Sequence, residues 1–190
     1  MEIIVRSYLE KDLEAVHNIC MATARHRVRN ESGRLFLFKT SCDYYVECEP
    51  ENCFVAVCRG EDGTEKVIGY ALCAMDCERY ARRFMEKYVP KIKAYSKLNA
   101  HIAKTDVLIY GQFASFFPSH MRLAVLPEAR RQGAGTLLVQ AVCAHLSEQK
   151  SKGVLIIAEK KNKTAEAFAK SCNFSRLREV GSGTAYGMDF

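Results

Sequence analysis

The sequence predicts an α/β protein in which a mixed sheet is flanked by helices. Short runs in which apolar residues alternate with a period of two indicate strands. The segments between these runs carry apolar residues every three or four positions, which indicates helices. The 190 residues are 48% hydrophobic and include no low-complexity tract, so the chain can bury one substantial core. We therefore expect a single domain over residues 1–190.

The N-terminal part of the chain predicts a strand, two helices and a hairpin. Leu13, Val16 and Ile19 would form the apolar side of the first helix. Residues 40–43 are of types that cap helices, and residues 60–63 suit a turn between strands. The expected elements are a strand over residues 3–7, a helix over 9–24, an ambiguous basic connection over 25–39, a short helix running from the cap at 40–43 through 47, and strands over 53–58 and 67–75.

Residues 76–119 are expected to hold helices that are inserted before the central strand. Apolar residues recur there at helical spacing, namely Phe84, Tyr88, Ile92 and Tyr95. Pro90 suits the first turn of a new helix or a kink, and a structureless loop of this length is uncommon. Much of the net charge of +6 also lies here, on Arg79, Arg82, Arg83, Lys87, Lys91, Lys93, Lys97 and Lys104. A solvated helix face explains this charge, and binding of an acidic partner is the alternative.

The central strand and the turn after it are predicted from residues 121–136, MRLAVLPEARRQGAGT. Apolar residues alternate along the strand, which Pro127 ends. Helical spacing resumes beyond Gly133 and Gly135, so these glycines lie at a helix start. Backbone N–H groups are unpaired at a helix start, no Cβ keeps a ligand away, and the helix dipole favours an anion. Arg130 and Arg131 add positive charge, so the turn suits a phosphate group.

The motif Arg130-x-x-Gly133-x-Gly135, preceded by a strand and a Val-x-Pro step at 125–127, resembles the (Gln/Arg)-x-x-Gly-x-(Gly/Ala) signature of the GNAT superfamily of N-acetyltransferases. A P-loop would need Gly-Lys-Ser/Thr, and a dinucleotide fingerprint would need a third glycine. The resemblance implies a GNAT-like, mostly antiparallel central sheet and an acetyl-CoA site whose pyrophosphate lies on the turn. The cofactor-binding residues that it implies are Leu123, Ala124, Val125, Arg130, Arg131, Gln132, Gly133, Ala134, Gly135, Thr136 and Asn162.

The C-terminal part extends this resemblance. A strand is expected over 154–158, a helix after Asn162, and two closing strands over 175–180 and 184–190 around a turn at 181–183. Family members commonly show an asparagine that faces the cofactor, an alanine three residues on, and then Tyr-x-x-x-Gly-Phe, whose tyrosine protonates the departing thiolate. Asn162 and Ala165 match this pattern. Ala169 stands at the tyrosine position and Asn173 at the glycine position, so the usual proton donor is missing.

The approach to the central strand carries a second resemblance. Phe117-Pro118-Ser119-His120 is similar to the start of this strand in the acetyltransferase-like group that includes the C-terminal domain of O-GlcNAc hydrolases. That group includes members whose activity is uncertain. A binding-only or inactive protein is therefore an alternative.

Acetyl transfer to an amine needs a group that accepts the amine proton and a group that reprotonates the thiolate. His120 is the candidate base, because histidine titrates near neutral pH and this one precedes the implied acetyl-binding residues. A structural histidine is the alternative. Tyr186, on a closing strand, is the candidate acid, and a core tyrosine is the alternative.

The leading hypothesis is therefore an acetyl-CoA-dependent N-acetyltransferase that acts on the primary amine of a small molecule. The alternatives are a non-catalytic acyl-CoA-binding or interaction module of the same fold and a protein or peptide N-acetyltransferase. The nine cysteines are odd in number and unpatterned, which favours free thiols in a reducing cytosol without a metal site. With no signal peptide, no bilayer-length apolar run and no base-reading motif, we expect a cytoplasmic protein without a membrane or nucleic-acid partner. Formation of a homodimer is a possibility that the sequence leaves undecided.

Overall fold

The described part of the chain contains seven strands and eight α-helices. The computed structural model describes residues 2–24, 28, 30–181 and 183–190. The strands are β1 (Glu2–Ser7), β2 (Cys53–Arg59), β3 (Glu65–Ala74), β4 (Ser119–Val125), β5 (Gly153–Glu159), β6 (Ser175–Val180) and β7 (Gly183–Asp189). The helices are α1 (Leu13–Thr23), α2 (Glu31–Phe38), α3 (Tyr44–Cys48), α4 (Cys77–Lys87), α5 (Val89–Tyr95), α6 (Lys97–Gly111), α7 (Ala134–Glu148) and α8 (Lys163–Ser171).

The strands form a sheet in the order β1-β2-β3-β4-β5-β7-β6. β1 with β2, β2 with β3, β5 with β7 and β6 with β7 are antiparallel pairs, whereas β4 and β5 are parallel. Helices α4 to α6 precede β4, the central strand. The predicted fold class is confirmed: a mixed, mostly antiparallel sheet is flanked by helices, with a helical insertion before the central strand.

The chain divides into two compact units, the first comprising the residues up to Cys73 together with Arg122–Ala144. Its core includes the hairpin of β2 and β3, where Val55, Val57 and Leu72 are fully buried. Helix α1 buries Val16 and Ile19, two of the positions that the helical period predicted. The second half of β4 and the start of α7, which carry the glycine turn, belong to this unit.

The second unit comprises Ala74–Met121 and His145–Phe190. Helices α4 and α5 bury Phe84, Tyr88 and Ile92, as expected from their spacing, whereas Tyr95 is 57% exposed. Pro90 lies in the first turn of α5, the first of the two placements expected for it. The unit also contains α6, the start of β4, and β5, β7 and β6 with α8.

The expected helix cap at residues 40–43 is wrong. Helix α2 continues through a π-helical turn, Lys39–Asp43, directly into α3, and Asp43 makes no capping hydrogen bond. Because the chain enters α3 from a helix, the first turn of α3 has no open end to cap. The Asp43 carboxylate instead binds His17 and Lys39.

Some predictions fall on residues that the structure does not describe. Residues 25–27 and 29 of the predicted basic connection and Ser182 of the predicted closing turn lie outside the described residues. Part of that connection forms α2, which begins at Glu31 because the Asn30 side chain accepts the Gly33 N–H group at 2.8 Å. The single-domain organisation stays a prediction. Among the described helices, none combines the length and the apolar character needed to cross a bilayer.

Candidate functional site

The second half of β4 directs backbone groups away from β3. The Leu126 N–H group donates to the Ile68 carbonyl at 2.9 Å, so it points toward β3. Backbone groups of successive residues point to opposite sides of a strand. The Ala124 groups therefore face β3, and those of Leu123 and Val125 face the other side. An extended ligand beside β4 would meet the groups of Leu123 and Val125.

The turn after β4 is shaped by two left-handed residues. Arg131 has φ 61° and Gly133 has φ 88°, and a positive φ is uncommon for a residue other than glycine. The Arg130 Nε atom donates to the Val125 carbonyl at 3.3 Å, and the Gln132 side chain donates to the Glu128 carbonyl at 3.1 Å. The first bond ties the exposed turn to the end of β4, and the second ties it to the short helical turn that follows the strand.

The turn leads directly into the first turn of α7. Leu137 N–H donates to the Gly133 carbonyl at 3.0 Å, so the amides of Ala134, Gly135 and Thr136 precede that bond. Helices leave such amides to capping groups or ligands, and the dipole makes this end positive. Within the described residues, a Cβ atom at Gly133 would meet no atom within 4 Å beyond its two chain neighbours. Open space, helix-start amides and the adjacent arginines fit a diphosphate group.

His120 lies in a buried aromatic cluster of the second unit. It is 0% exposed, and its ring stacks on Tyr110 with centroids 3.9 Å apart and also contacts the Tyr80 ring edge-on at 4.5 Å. Its Nδ1 atom lies 3.3 Å from the Cys77 sulfur. These contacts are typical of a packed histidine, and the role of His120 as a base stays a prediction.

Tyr186 is buried in β7 with an unsatisfied hydroxyl group. It is 0% exposed, and its Oη atom has no hydrogen-bond partner among the residues that the structure describes. A buried hydroxyl without a partner is costly, so in native proteins it calls for an explanation such as a ligand or a catalytic role. The role of Tyr186 as an acid stays a prediction that this observation supports.

The structure does not bring these two catalytic candidates together. His120 pairs with Leu155 across β4 and β5, and Tyr186 pairs with Ile156 across β7 and β5. Paired residues project to the same face of a sheet, and consecutive residues project to opposite faces. Because Leu155 and Ile156 are consecutive, the side chains of His120 and Tyr186 project from opposite faces.

Asn162 and Ala169 lie at the two ends of α8. Asn162 is exposed, and its side-chain oxygen accepts the Ala165 N–H group at 3.0 Å, which caps the helix. Its amide nitrogen is thus the atom that could donate to a ligand. Ala169 is 0% exposed, and its carbonyl accepts the Phe174 N–H group at 3.0 Å. Asn173 has φ 65°, the left-handed conformation expected where the family has glycine.

Sequence reasoning missed a charged cluster in the first unit. His17 Nε2 lies 2.7 Å from one Asp43 oxygen, and Lys39 Nζ lies 2.5 Å from the other. The His17 ring stacks on Phe38 with centroids 4.0 Å apart. Burial would raise the pKa of the Asp43 carboxyl, but the hydrogen bonds from His17 and Lys39 outweigh it, and this pKa lies below its ordinary value. The four-residue spacing of Lys39 and Asp43 was the one local signal for this cluster.

A surface cavity of about 600 Å³ adjoins the cluster. Helices α1 and α2 line it with His17, Phe38, Glu14, Asn18, Arg34, Leu13 and Met21. Apolar, aromatic and charged side chains thus line one opening, a combination typical of sites for small polar molecules.

The chain matches a known family model over most of its length. Residues 13–174 match the model of the Acetyltransferase (GNAT) family. A search among curated proteins finds no significant match.

Several solved structures share the fold. SsHAT superposes with a TM-score of 0.83 at 23% identity, covering 100% of this chain and 98% of that one. The Drosophila melanogaster polyamine N-acetyltransferase, which catalyses formation of N-acetylagmatine, has a TM-score of 0.61 at 13% identity and covers 100% of both chains. The NatC complex bound to Gag peptide and CoA has a TM-score of 0.61 at 16% identity, covering 100% of this chain and 99% of that one. At these identities the similarity shows a common fold.

Proposed function

We propose that this chain, which belongs to the GNAT acetyltransferase family, transfers the acetyl group of acetyl-CoA to the primary amine of a small molecule. The observation that carries the proposal is the turn from Arg130 to Thr136. Its left-handed residues lead into the start of α7, beside Arg130 and Arg131 in the sequence. This arrangement suits the pyrophosphate of CoA.

The proposed acetyl-CoA site uses the backbone more than side chains. The amides of Gln132, Gly133, Ala134, Gly135 and Thr136 would hold the phosphates together with Arg130 and Arg131. The backbone groups of Leu123 and Val125 would bind the extended arm, with Ala124 between them. Contact of Asn162, a residue of the second unit, with the cofactor stays an expectation from the family pattern. When bound, acetyl-CoA supplies a thioester as the acetyl donor.

Proton transfer is assigned to two residues as separate proposals. Tyr186 is the proposed donor to the leaving thiolate, and its buried, unpartnered hydroxyl within the described residues supports that role. His120 is the proposed acceptor of the amine proton, for which its sequence position is the support. Because the two side chains project from opposite faces of the sheet, each role needs its own test.

A small amine is the proposed acceptor. The Drosophila neighbour acts on polyamines, and the cavity of about 600 Å³ has a volume suited to a small molecule. Its Glu14 carboxylate could pair with an ammonium group. A peptide acceptor is the alternative within the enzyme class, since the NatC neighbour is bound to a peptide.

A non-catalytic acyl-CoA-binding module is the second candidate function. Ala169 favours it, because a methyl group occupies the position where the family commonly has a proton-donating tyrosine. Ala169 is also fully buried in the last turn of α8. A binding-only protein would keep the turn at 130–136 and lack turnover.

The deciding experiment pairs a binding measurement with an amine panel. Calorimetry would measure the affinity for acetyl-CoA, and mass spectrometry would detect acetylated products from polyamines, agmatine, arylalkylamines and N-terminal peptides. Thiol reagents are unsuitable for following CoA release, because the chain itself carries nine cysteines. Binding with turnover of a small amine is the expected result. Binding without turnover on the whole panel would support the non-catalytic module, and turnover of peptides alone would overturn the small-molecule acceptor.

A further inference from the structure

Helix α6 has an apolar surface on its exposed side. Its packed side buries Ala103, Val107 and Tyr110, as expected of a core-facing helix. On the opposite side, Leu98 is 69% exposed and Leu108 is 55% exposed. A helix that packs on one side normally carries polar residues on the other, so this exposed side needs an explanation.

The exposed apolar residues are concentrated in this part of the chain. Five of the eight large apolar side chains that are exposed in the described residues lie between positions 95 and 116, namely Tyr95, Leu98, Ile102, Leu108 and Phe116. Single exposed apolar residues are ordinary, whereas a concentration of them marks an interaction surface.

The same stretch is strongly basic. From Lys87 to Lys104 the sequence carries five lysines and no acidic residue. Lys97 and Lys104 lie on α6 itself and are exposed. By helical geometry both lie along one edge of the side formed by Leu98, Ile102 and Leu108, next to Leu108. We call Lys97, Leu98, Ile102, Lys104 and Leu108 the α6 surface: it is apolar on one side and positively charged along one edge.

We propose that the α6 surface docks on an anionic lipid bilayer. Apolar side chains would enter the headgroup region while the lysine ammonium groups bind lipid phosphates, which is the arrangement of helices that lie in a membrane interface. Charge and apolar character favour a bilayer over a second copy of this chain or a nucleic acid as the binding partner. A second copy of this chain would bring the same lysines against each other, and a nucleic acid offers no apolar surface for Leu98, Ile102 and Leu108.

This proposal concerns peripheral binding and is independent of acetyl transfer. Docking of this kind needs no apolar run long enough to cross a bilayer. The expectation of no membrane partner rested on the lack of such a run and therefore did not address this surface.

The first test is co-sedimentation of the whole chain with vesicles. Binding is expected to vesicles of phosphatidylcholine mixed with phosphatidylserine, to fall with added salt, and to be weak with phosphatidylcholine alone. K97Q/K104Q should weaken binding roughly 10-fold or more, and L98S/I102S/L108S should weaken it by a similar factor. The matched controls K150Q/K152Q and L9S change exposed residues elsewhere and should bind like the parent chain. Far-UV circular dichroism would check that each variant is folded.

The second test places a fluorescent reporter in the surface. The chain contains no tryptophan, so L98W would carry the sole indole. Its emission should shift to the blue on addition of phosphatidylserine vesicles, whereas that of L9W should not. A lack of vesicle binding at low salt, equal loss of binding in the control variants, or an unshifted L98W spectrum would each overturn the proposal. An acidic peptide that bound the surface of a chain unable to bind vesicles would assign it to a protein partner instead.

Discussion

The side chains of His120 and Tyr186 project from opposite faces of the sheet, although their partners on β5 are consecutive residues. His120 pairs with Leu155 and Tyr186 pairs with Ile156. A base and an acid that serve one reacting carbon must both reach it, and residues on opposite faces do not share a cavity above either face. At most one of the two proposed roles can therefore hold, and separate mutations decide which one.

Tyr186→Phe is expected to raise stability while it lowers turnover. The buried Oη atom has no partner among the described residues, so removing it should raise the free energy of unfolding by about 1 kcal/mol. Loss of the proposed proton donor should lower turnover roughly 100-fold with acetyl-CoA affinity unchanged. Urea denaturation, kinetics on a verified amine and calorimetry measure the three quantities.

Tyr44→Phe is the matched control. Tyr44 is also 0% exposed, but its hydroxyl donates to Glu49 Oε1 at 2.8 Å. The free energy of unfolding of this variant should fall by about 1 kcal/mol or more, because a buried hydrogen bond is lost. If Tyr186→Phe destabilises the chain as Tyr44→Phe does and keeps full turnover, Tyr186 is an ordinary core tyrosine.

His120→Gln tests the proposed base through its pH dependence. Removal of general-base help should lower turnover roughly 100-fold near neutral pH. The loss should shrink as pH rises, because more of the amine is then already neutral. Because the stacking of the His120 ring on Tyr110 is lost, the variant should also be less stable by about 1 kcal/mol. Thermal melting would measure this loss of stability. Tyr110→Phe, which keeps a ring in the stack, is expected to retain turnover.

The opposite outcome for His120 is equally specific. If the variant remains folded and binds acetyl-CoA but loses the same fraction of turnover at every pH, His120 does not accept the amine proton. Its function would then be to pack the helices of the insertion against β4.

Gly133→Val tests the proposed pyrophosphate site. Gly133 has φ 88°, and a Cβ atom there would meet no other atom within 4 Å, so the protein should remain folded. The valine side chain would occupy the place proposed for the phosphates and weaken acetyl-CoA binding at least 10-fold, or about 1.4 kcal/mol. Calorimetry with acetyl-CoA measures this change.

Gly63→Val provides a control with the same backbone cost. Gly63 also has a positive φ, of 78°, and equally open surroundings, but it lies in the turn between β2 and β3. Both variants should lose about 1–2 kcal/mol of stability from left-handed strain. Equal acetyl-CoA affinity in the two folded variants would place the phosphates elsewhere.

Local patterns predicted the parts of the molecule that local interactions determine. The alternation before Pro127, the glycines after it and the helical period of residues 84–92 depend on neighbours in sequence, and each matches the structure. The pairing of His17 with Asp43 spans 26 residues, and the faces of His120 and Tyr186 depend on strand order and register. Those features depend on the assembled sheet and helices, so residue spacing alone could not show them.

Asp43→Asn is expected to destabilise the chain in a pH-dependent way. Hydrogen bonds from His17 and Lys39 outweigh burial and lower the pKa of the Asp43 carboxyl. An aspartate with a lowered pKa in the folded state stabilises that state above its unfolded pKa, and this stabilisation is lost as pH falls through the folded pKa. The free energy of unfolding of the parent chain should therefore exceed that of Asp43→Asn by about 2 kcal/mol at neutral pH. This difference should narrow as pH falls below 3.8, the ordinary pKa of an aspartate.

Glu47→Gln is the control for the Asp43 prediction, because Glu47 is the other acidic partner of Lys39. Its side chain is 38% exposed and lies 3.6 Å from Lys39 Nζ, so its removal should cost less than about 0.5 kcal/mol. Urea denaturation of the three proteins at several pH values measures both effects. If the difference in free energy of unfolding between the parent chain and Asp43→Asn stayed constant down to the lowest pH measured, the prediction would be wrong. The ionised carboxylate would then contribute no stability. The substitution would act through packing where α1 meets the π-helical turn.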